Sequence, residues 1–302
     1  HDLIPAVRGS AFIPTDLSRE LRAQYETPDD AAGYSHLAIS DDGQKILLCD
    51  AERGIVVLTK GDAGWAVQLI FPSISLGLEE EMHEAIEDGE DFRPFFDMMH
   101  AALSPDGQFV ALGTQDDGHH VLSLKGREVP AVYAKLGYLS EYPHDACFSN
   151  DGAFVALNSC HFYNGVTFAS EMATIQGLTT SPYEEHPAQT ILNNYLRVYA
   201  SSYLPGSMTA EQTGAFLLAG SGFAACVTEK AELLWEVGFG SSAGGVDVCP
   251  QTGRVLIASY SGMLHLLDPS QPQSPPIFSG YNAPQELRRW LFWERLEQPI
   301  AW

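Results

Sequence analysis

The chain is patterned as short apolar runs separated by turn residues. The clearest instance is Met98 to Thr114, MMHAALSPDGQFVALGT. Ala101 to Leu103 is apolar, and Ser104-Pro105-Asp106-Gly107 follows as turn chemistry. Pro presets φ, Asp caps the backbone, and Gly takes the positive-φ position. Phe109 to Leu112 then resumes an apolar, partly β-branched run, so the stretch predicts a strand, a tight turn and a second strand.

The pattern recurs. It appears at His36 to Gly43 followed by Lys45 to Cys49, and at Asp145 to Gly152 followed by Phe154 to Leu157. It returns at Val246 to Gly253 followed by Arg254 to Ala258, with a fainter copy at Glu211 to Gly214 and Ala215 to Ala219. The anchor glycines 43, 107, 152, 214 and 253 are separated by 64, 45, 62 and 39 residues. A third run follows several hairpins, as at Ile55 to Leu58, His120 to Leu124 and Met263 to Leu267. A fourth is visible at Trp65 to Phe71. Repeated short strands at this period predict an all-β fold built from one small sheet per repeat.

On these residues, Ser104 to Gly107 above all, the chain resembles the WD40-like, PD40-type β-propeller repeat proteins, whose first hairpin commonly turns at SPDG. The resemblance covers roughly residues 36 to 268. The Trp-Asp endings and the Gly-His dipeptide of true WD40 repeats are absent. The resemblance implies a single β-propeller over residues 1–302, expected to have six blades, with seven as the alternative. Residues 1–35 and 285–302 are then expected to close the ring, which removes exposed sheet edges. Two separations exceed a blade's length, which marks two insertions: residues 76–99, acidic with helical spacing, and residues 179–204, polar.

Charge sharpens this picture. The chain carries 39 acidic and 16 basic residues, a formal net charge of −23. Such a surface argues against nucleic acid and against an anionic membrane, and favours a basic protein partner. No apolar run reaches the length of a membrane span. The five cysteines form no CxxC pair and suit buried free thiols, so a cytoplasmic location is expected. No signal-peptide pattern opens the chain, although His1 in place of Met leaves room for a removed leader.

The insertion at 76–99 concentrates that charge. Glu79, Glu80, Glu81, Glu84, Glu87, Asp88, Glu90 and Asp91 fall within thirteen residues, and Phe92, Phe95 and Phe96 follow at once. Carboxylates steer a basic partner and apolar rings supply anchoring area, so these eleven residues are the expected partner-binding site. The expected function is a non-catalytic protein-binding propeller without cofactor. Its sharpest form is a bacterial immunity-type protein that neutralises a basic toxin.

The alternative is a propeller enzyme of lactonase or hydrolase type with a metal at the channel mouth. Its candidate ligands are His36 and His100, both seven residues before an anchor glycine, and His144, one residue earlier in its repeat. They are expected instead to share a structural role at strand starts, and no metal is assigned. Gly240-Ser241-Ser242-Ala243-Gly244 matches G-x-S-x-G, but a strand rather than a helix is expected after it, so no nucleophile is assigned there.

Overall fold

The computed structural model describes residues 4–5, 12–13, 34–50, 54–62, 64–71, 100–114, 118–126, 130–136, 142–161, 164–180, 190–193, 197–209, 213–272, 280–293 and 297–302. The turns come first, because they carry the repeat. Gly43, Gly107, Gly152 and Gly253 all adopt φ between 65° and 68°, the left-handed region that a side chain disfavours. In the first three turns one device recurs. The serine hydroxyl donates to the aspartate two residues on, from Ser40 to Asp42 at 2.7 Å, Ser104 to Asp106 at 2.6 Å and Ser149 to Asp151 at 2.6 Å. The same hydroxyl accepts the amide of the residue opening the second strand, Lys45, Phe109 or Phe154, each at 2.9 Å. The carboxylate accepts another amide beyond the glycine, from Gln44, Gln108 or Ala153. These bonds hold the carboxyls of Asp42 and Asp151 below the usual range.

Five sheets grow from such hairpins, each antiparallel in chain order through its first three strands. The first holds Tyr34–Ile39, Lys45–Asp50, Gly54–Gly61 and Gly64–Phe71. The second holds His100–Leu103, Phe109–Thr114, Gly118–Ser123 and Ala131–Leu136. The third holds Pro143–Phe148, Phe154–His161, Asn164–Glu171 and Thr190–Asn193. The fourth holds Val198–Leu204, Ala215–Gly220, Phe223–Thr228 and Leu233–Gly238. The fifth holds Ala243–Val248, Val255–Ser259, Met263–Pro272, Pro284–Leu291 and Ile300–Ala301. Two sheets also borrow a strand from later chain. Thr179–Thr180 pairs in parallel with Ala131–Leu136, and Gly280–Tyr281 pairs with Leu233–Gly238. A separate ribbon pairs Ile4–Pro5 with Phe12–Ile13. Described helix is confined to one turn, Met172–Ile175, and the 3₁₀ turn Gly206–Met208. Among the described residues, no helix is long and apolar enough to cross a membrane.

The sheets stack around an axis, as a β-propeller does. The first strand of each packs against the first strand of the next. Apolar side chains fill each of the four junctions. Leu47, Val57, Leu103 and Leu112 join sheets one and two, and Ala111, Val121, Val155 and Phe168 join two and three. Ala156, Ala169, Phe216 and Leu218 join three and four, and Leu217, Trp235, Ile257 and Leu267 join four and five. Burial on both faces explains why these strands read as nearly continuous apolar runs rather than alternating ones. First strands begin at one end of the sheets, called here the upper end, and the glycine turns lie at the lower end. The turns also touch their neighbours: Lys45 Nζ donates to the carbonyl of Gly107 at 2.6 Å, and the Asp41 amide donates to that of Pro105 at 2.8 Å.

Two expectations need correction. Within the expected polar insertion at 179–204, Thr190–Asn193 is the last strand of sheet three and Val198–Leu204 the first of sheet four. Their polarity has a structural origin, because Ser201, Ser202 and Tyr203 face a hollow at the axis. Gly214 is also no turn glycine. The fourth hairpin runs through residues 205–214, and Gly214 ends it with an ordinary φ. Glycine is needed there for space, since a Cβ would collide with the Tyr203 hydroxyl and the Glu229 carboxylate. Residues 76–99 lie outside the described residues, as do most of residues 1–33. Residues 284–291 and 300–301 form the two outer strands of sheet five.

Candidate functional site

The three candidate histidines occupy distinct settings. His36 pairs with Cys49 in the first sheet, and His100 pairs with Gly113 in the second. The corresponding register position in sheet three belongs to Asp145, which pairs with Asn158. His144 sits in the irregularity between Pro143 and Asp145, and an extra residue of this kind re-aims a side chain. Its Nε2 lies 3.1 Å from the Cys160 carbonyl oxygen, to which the ring can donate. His100 instead packs beside His119, a residue assigned no role from sequence, with ring centroids 5.2 Å apart and the rings tilted by 57°. Gly113 makes room for this pair, because a Cβ there would overlap His100 and Pro143. Among the described residues, no three His, Cys, Asp or Glu side chains gather as metal ligands.

Buried polar groups link neighbouring sheets along the same rows. His119 Nε2 meets Ser159 Oγ of sheet three at 2.8 Å. Burial first, and then His120 and His144 nearby, push His119 down to about 3, so it is neutral at pH 7. Asn158 Oδ1 accepts the Val198 amide of sheet four at 3.1 Å, while its Nδ2 donates to the Val166 carbonyl at 2.9 Å. Asp145 is raised to about 7 by burial, which a hydrogen bond with Ser201 only partly offsets. Burial likewise pushes the Cys49 and Cys147 thiols up to about 12, so neither is a ready nucleophile.

At the lower end the first strands of sheets three, four and five open onto a hollow of about 390 Å³. Cys147, Ser201, Tyr203 and Asp247 line it. The Tyr203 hydroxyl donates a short hydrogen bond to Glu229. The G-x-S-x-G stretch runs directly into Ala243–Val248, with no helix after the serine. The nucleophile elbow requires that helix, so its geometry is absent here.

The upper end of sheet five looks different. Tyr260 is 72% exposed, Phe292 53%, Trp293 58%, Ile300 50% and Trp302 57%. They are spread across that end, with the Tyr260 ring 6.0 Å from that of Tyr199 and Ile300 on the outermost strand. Met263 pairs with Leu291 and Leu291 with Ile300, and the Phe292 amide donates to the Gly262 carbonyl at 2.8 Å beside Tyr260. Beneath this edge, Glu286 takes the Arg289 guanidinium in two bonds of 2.9 and 2.6 Å and lies 2.7 Å from His265 Nδ1. Burial pushes the Glu286 carboxyl up, and the bonds from His265 and Arg289 outweigh it and leave it below the ordinary range. Sequence reading missed this edge, although three of the five tryptophans fall at 290, 293 and 302.

Comparison with known proteins bears on the fold. No family model matches the chain, and no curated protein matches it. Solved structures do. The Saccharomyces cerevisiae Sqt1 structure superposes with a TM-score of 0.53 at 7% identity, covering 86% of this chain and 63% of that one. Chaetomium thermophilum Sqt1 gives 0.52 at 14% identity, covering 78% and 56%. The β-propeller domain of Myceliophteria thermophila Cps50 (Swd1) gives 0.49 at 9% identity, covering 81% and 67%. The fold is that of a β-propeller. The chain spans about six tenths of the length of the two Sqt1 structures it matches.

Proposed function

We propose that this chain is a non-catalytic propeller that binds a protein partner with a basic surface through the acidic link of residues 76–99. One observation carries the reading: eight carboxylates within thirteen residues, followed by Phe92, Phe95 and Phe96, lie in the link between two sheets. The last strand of sheet one ends at Phe71 and sheet two begins at His100, so the link is tethered at the upper end of the propeller. Closely spaced like charges repel one another, and a basic partner relieves that repulsion on binding. Phe92, Phe95 and Phe96 supply the buried anchor area. A bacterial immunity-type protein that neutralises a basic toxin is the sharpest form of the reading.

The test replaces Glu84, Glu87 and Glu90 with Gln and Asp88 with Asn together, and measures association with the copurifying protein at low and high salt. Association should slow by about tenfold or more at low salt, with much of the salt dependence lost. An unchanged, salt-insensitive rate would remove the link from the interface. Elemental analysis of the purified protein tests the enzyme alternative, which requires stoichiometric metal at His36, His100 and His144.

A further inference from the structure

We propose that a cleft between sheets four and five, at the lower end of the propeller, binds a small neutral aromatic molecule that carries one hydrogen-bonding group. The site stands apart from the acidic link, which is tethered at the opposite end. The cleft has a volume of about 260 Å³. Its floor is apolar and includes Leu204, Met208, Leu234 and Trp235. Its rim is polar, with Thr209, Ser270, Gln271 and Asn282.

The walls are built where the chain departs from its repeat. The first three hairpins turn tightly, whereas the fourth runs through residues 205–214 and brings Met208 and Thr209 to the cleft. Leu234 is the extra residue of a bulge, because Trp235 pairs with Cys226 and Leu233 with Val227. A bulge of this kind re-aims a side chain. Sheet five is irregular at the same level. Asp268 pairs with Gln285 and Pro272 with Pro284, so residues 269–271 leave the ladder. Ser270 is fixed there by its amide and its hydroxyl, which donate to the Asp268 carboxylate at 3.0 and 2.5 Å. Asn282 has a φ of 46°, in the left-handed region, and its Nδ2 donates to the Leu234 carbonyl at 3.4 Å. A long hairpin, two strand irregularities and a left-handed asparagine thus meet at one cleft. Such departures from regular backbone concentrate at ligand sites.

The lining selects the occupant. Ligand sites are mostly apolar with a few placed polar groups, as here. None of the described lining residues is Asp, Glu, Lys, Arg or His. A charged ligand would lose its water with no counter-ion in the cleft to replace it, so the occupant is neutral. An apolar cavity of about 150 Å³ is enough for benzene, so this larger cleft suits one or two rings. Trp235 offers ring surface and Met208 a polarisable sulfur, and both pack favourably on aromatic rings. The side-chain carbonyls of Gln271 and Asn282 can accept an N–H or O–H at the mouth.

The test titrates indole into the full chain by calorimetry, with indole-3-acetate as the charged counterpart. Indole should bind at one saturable site with a dissociation constant of about 1 mM or lower. Indole-3-acetate should bind about tenfold or more weakly. The Trp235 side-chain N–H resonance, assigned with Trp235→Phe, should move in step with the indole titration. Ser270→Trp and, separately, Gln271→Trp place a ring over the mouth from exposed positions. Each should weaken indole binding about tenfold or more while the urea midpoint stays unchanged. Absence of saturable indole binding overturns the site. Binding that survives both blocking substitutions, or that leaves the Trp235 resonance still, overturns it too. Equal affinity for indole-3-acetate overturns the neutral occupant.

Discussion

Asp145 shows how far a single side chain departs from what its neighbours in sequence suggest. His144-Asp145 reads as a polar pair at a strand start, yet the fold buries the carboxylate and raises it to about 7. An unfolded aspartate titrates near 3.8. Between those values the folded chain holds a proton that the unfolded chain has released, so stability from this group falls as pH rises from about 4 to about 7 and then levels. Asp145→Asn should therefore stabilise the protein at pH 8 relative to pH 4.5, by about 1–3 kcal/mol, in paired thermal melts. An identical difference at both pH values would contradict the buried carboxylate. Gly113 makes a second prediction at this scale. Its missing Cβ leaves room for His100 and Pro143, so Gly113→Ala should lower stability by about 1–3 kcal/mol in urea titrations.

The recurring element is the Ser-x-Asp-Gly turn, and here sequence and structure agree closely. Ser104 is fully buried, and its hydroxyl serves the Phe109 amide as well as Asp106. Ser104→Ala leaves that buried amide without its acceptor and should cost about 1–3 kcal/mol, read from the shift in urea midpoint at constant slope. The fifth turn has the same length, but its glycine falls one position later, with the Gly253 amide bonding the Cys249 carbonyl four residues back. Cys249 and Gln251 stand there in place of serine and aspartate, with the thiol donating to Gln251 Oε1 at 3.3 Å, and Thr252 Oγ1 accepts the Arg254 amide at 3.4 Å. Four of the five anchor glycines were legible because positive φ has few substitutes. Gly214 was not, because its reason is the Tyr203 side chain, distant in sequence and adjacent only after folding. Residues 198–204 were misread for a related reason: a strand lining a polar hollow has a polar sequence.

At the scale of the molecule, a net charge of −23 on 302 residues makes self-repulsion a standing load on the compact state. Raising salt from about 0.02 to about 0.5 M shortens the screening length several-fold and should raise the melting temperature by a few degrees. A fall would mean that attractive ion pairs, such as Arg289 with Glu286, outweigh the general repulsion. The proposed reading of the acidic link draws on the same acidity. The acidic link stood out in the sequence because its charges are contiguous. The exposed rings at the upper end of sheet five did not, because their exposure depends on which strands come to lie beside them.

The sequence by itself determined the repeat, the all-β class, the turn glycines and the sign of the surface. Each rests on local chemistry: a serine, an aspartate and a glycine within four residues form a turn wherever they occur, and net charge needs no coordinates. Tertiary structure alone decided which polar groups are buried, as with His119, Asn158 and Asp145, and which apolar groups are left in water, as with Trp293 and Trp302. Burial depends on which sheet comes to rest against which face, and adjacent sheets meet through residues about 40 positions apart, as His119 meets Ser159. No local pattern encodes a contact at that distance, because the side chains that remove a residue from water are supplied by a neighbouring sheet.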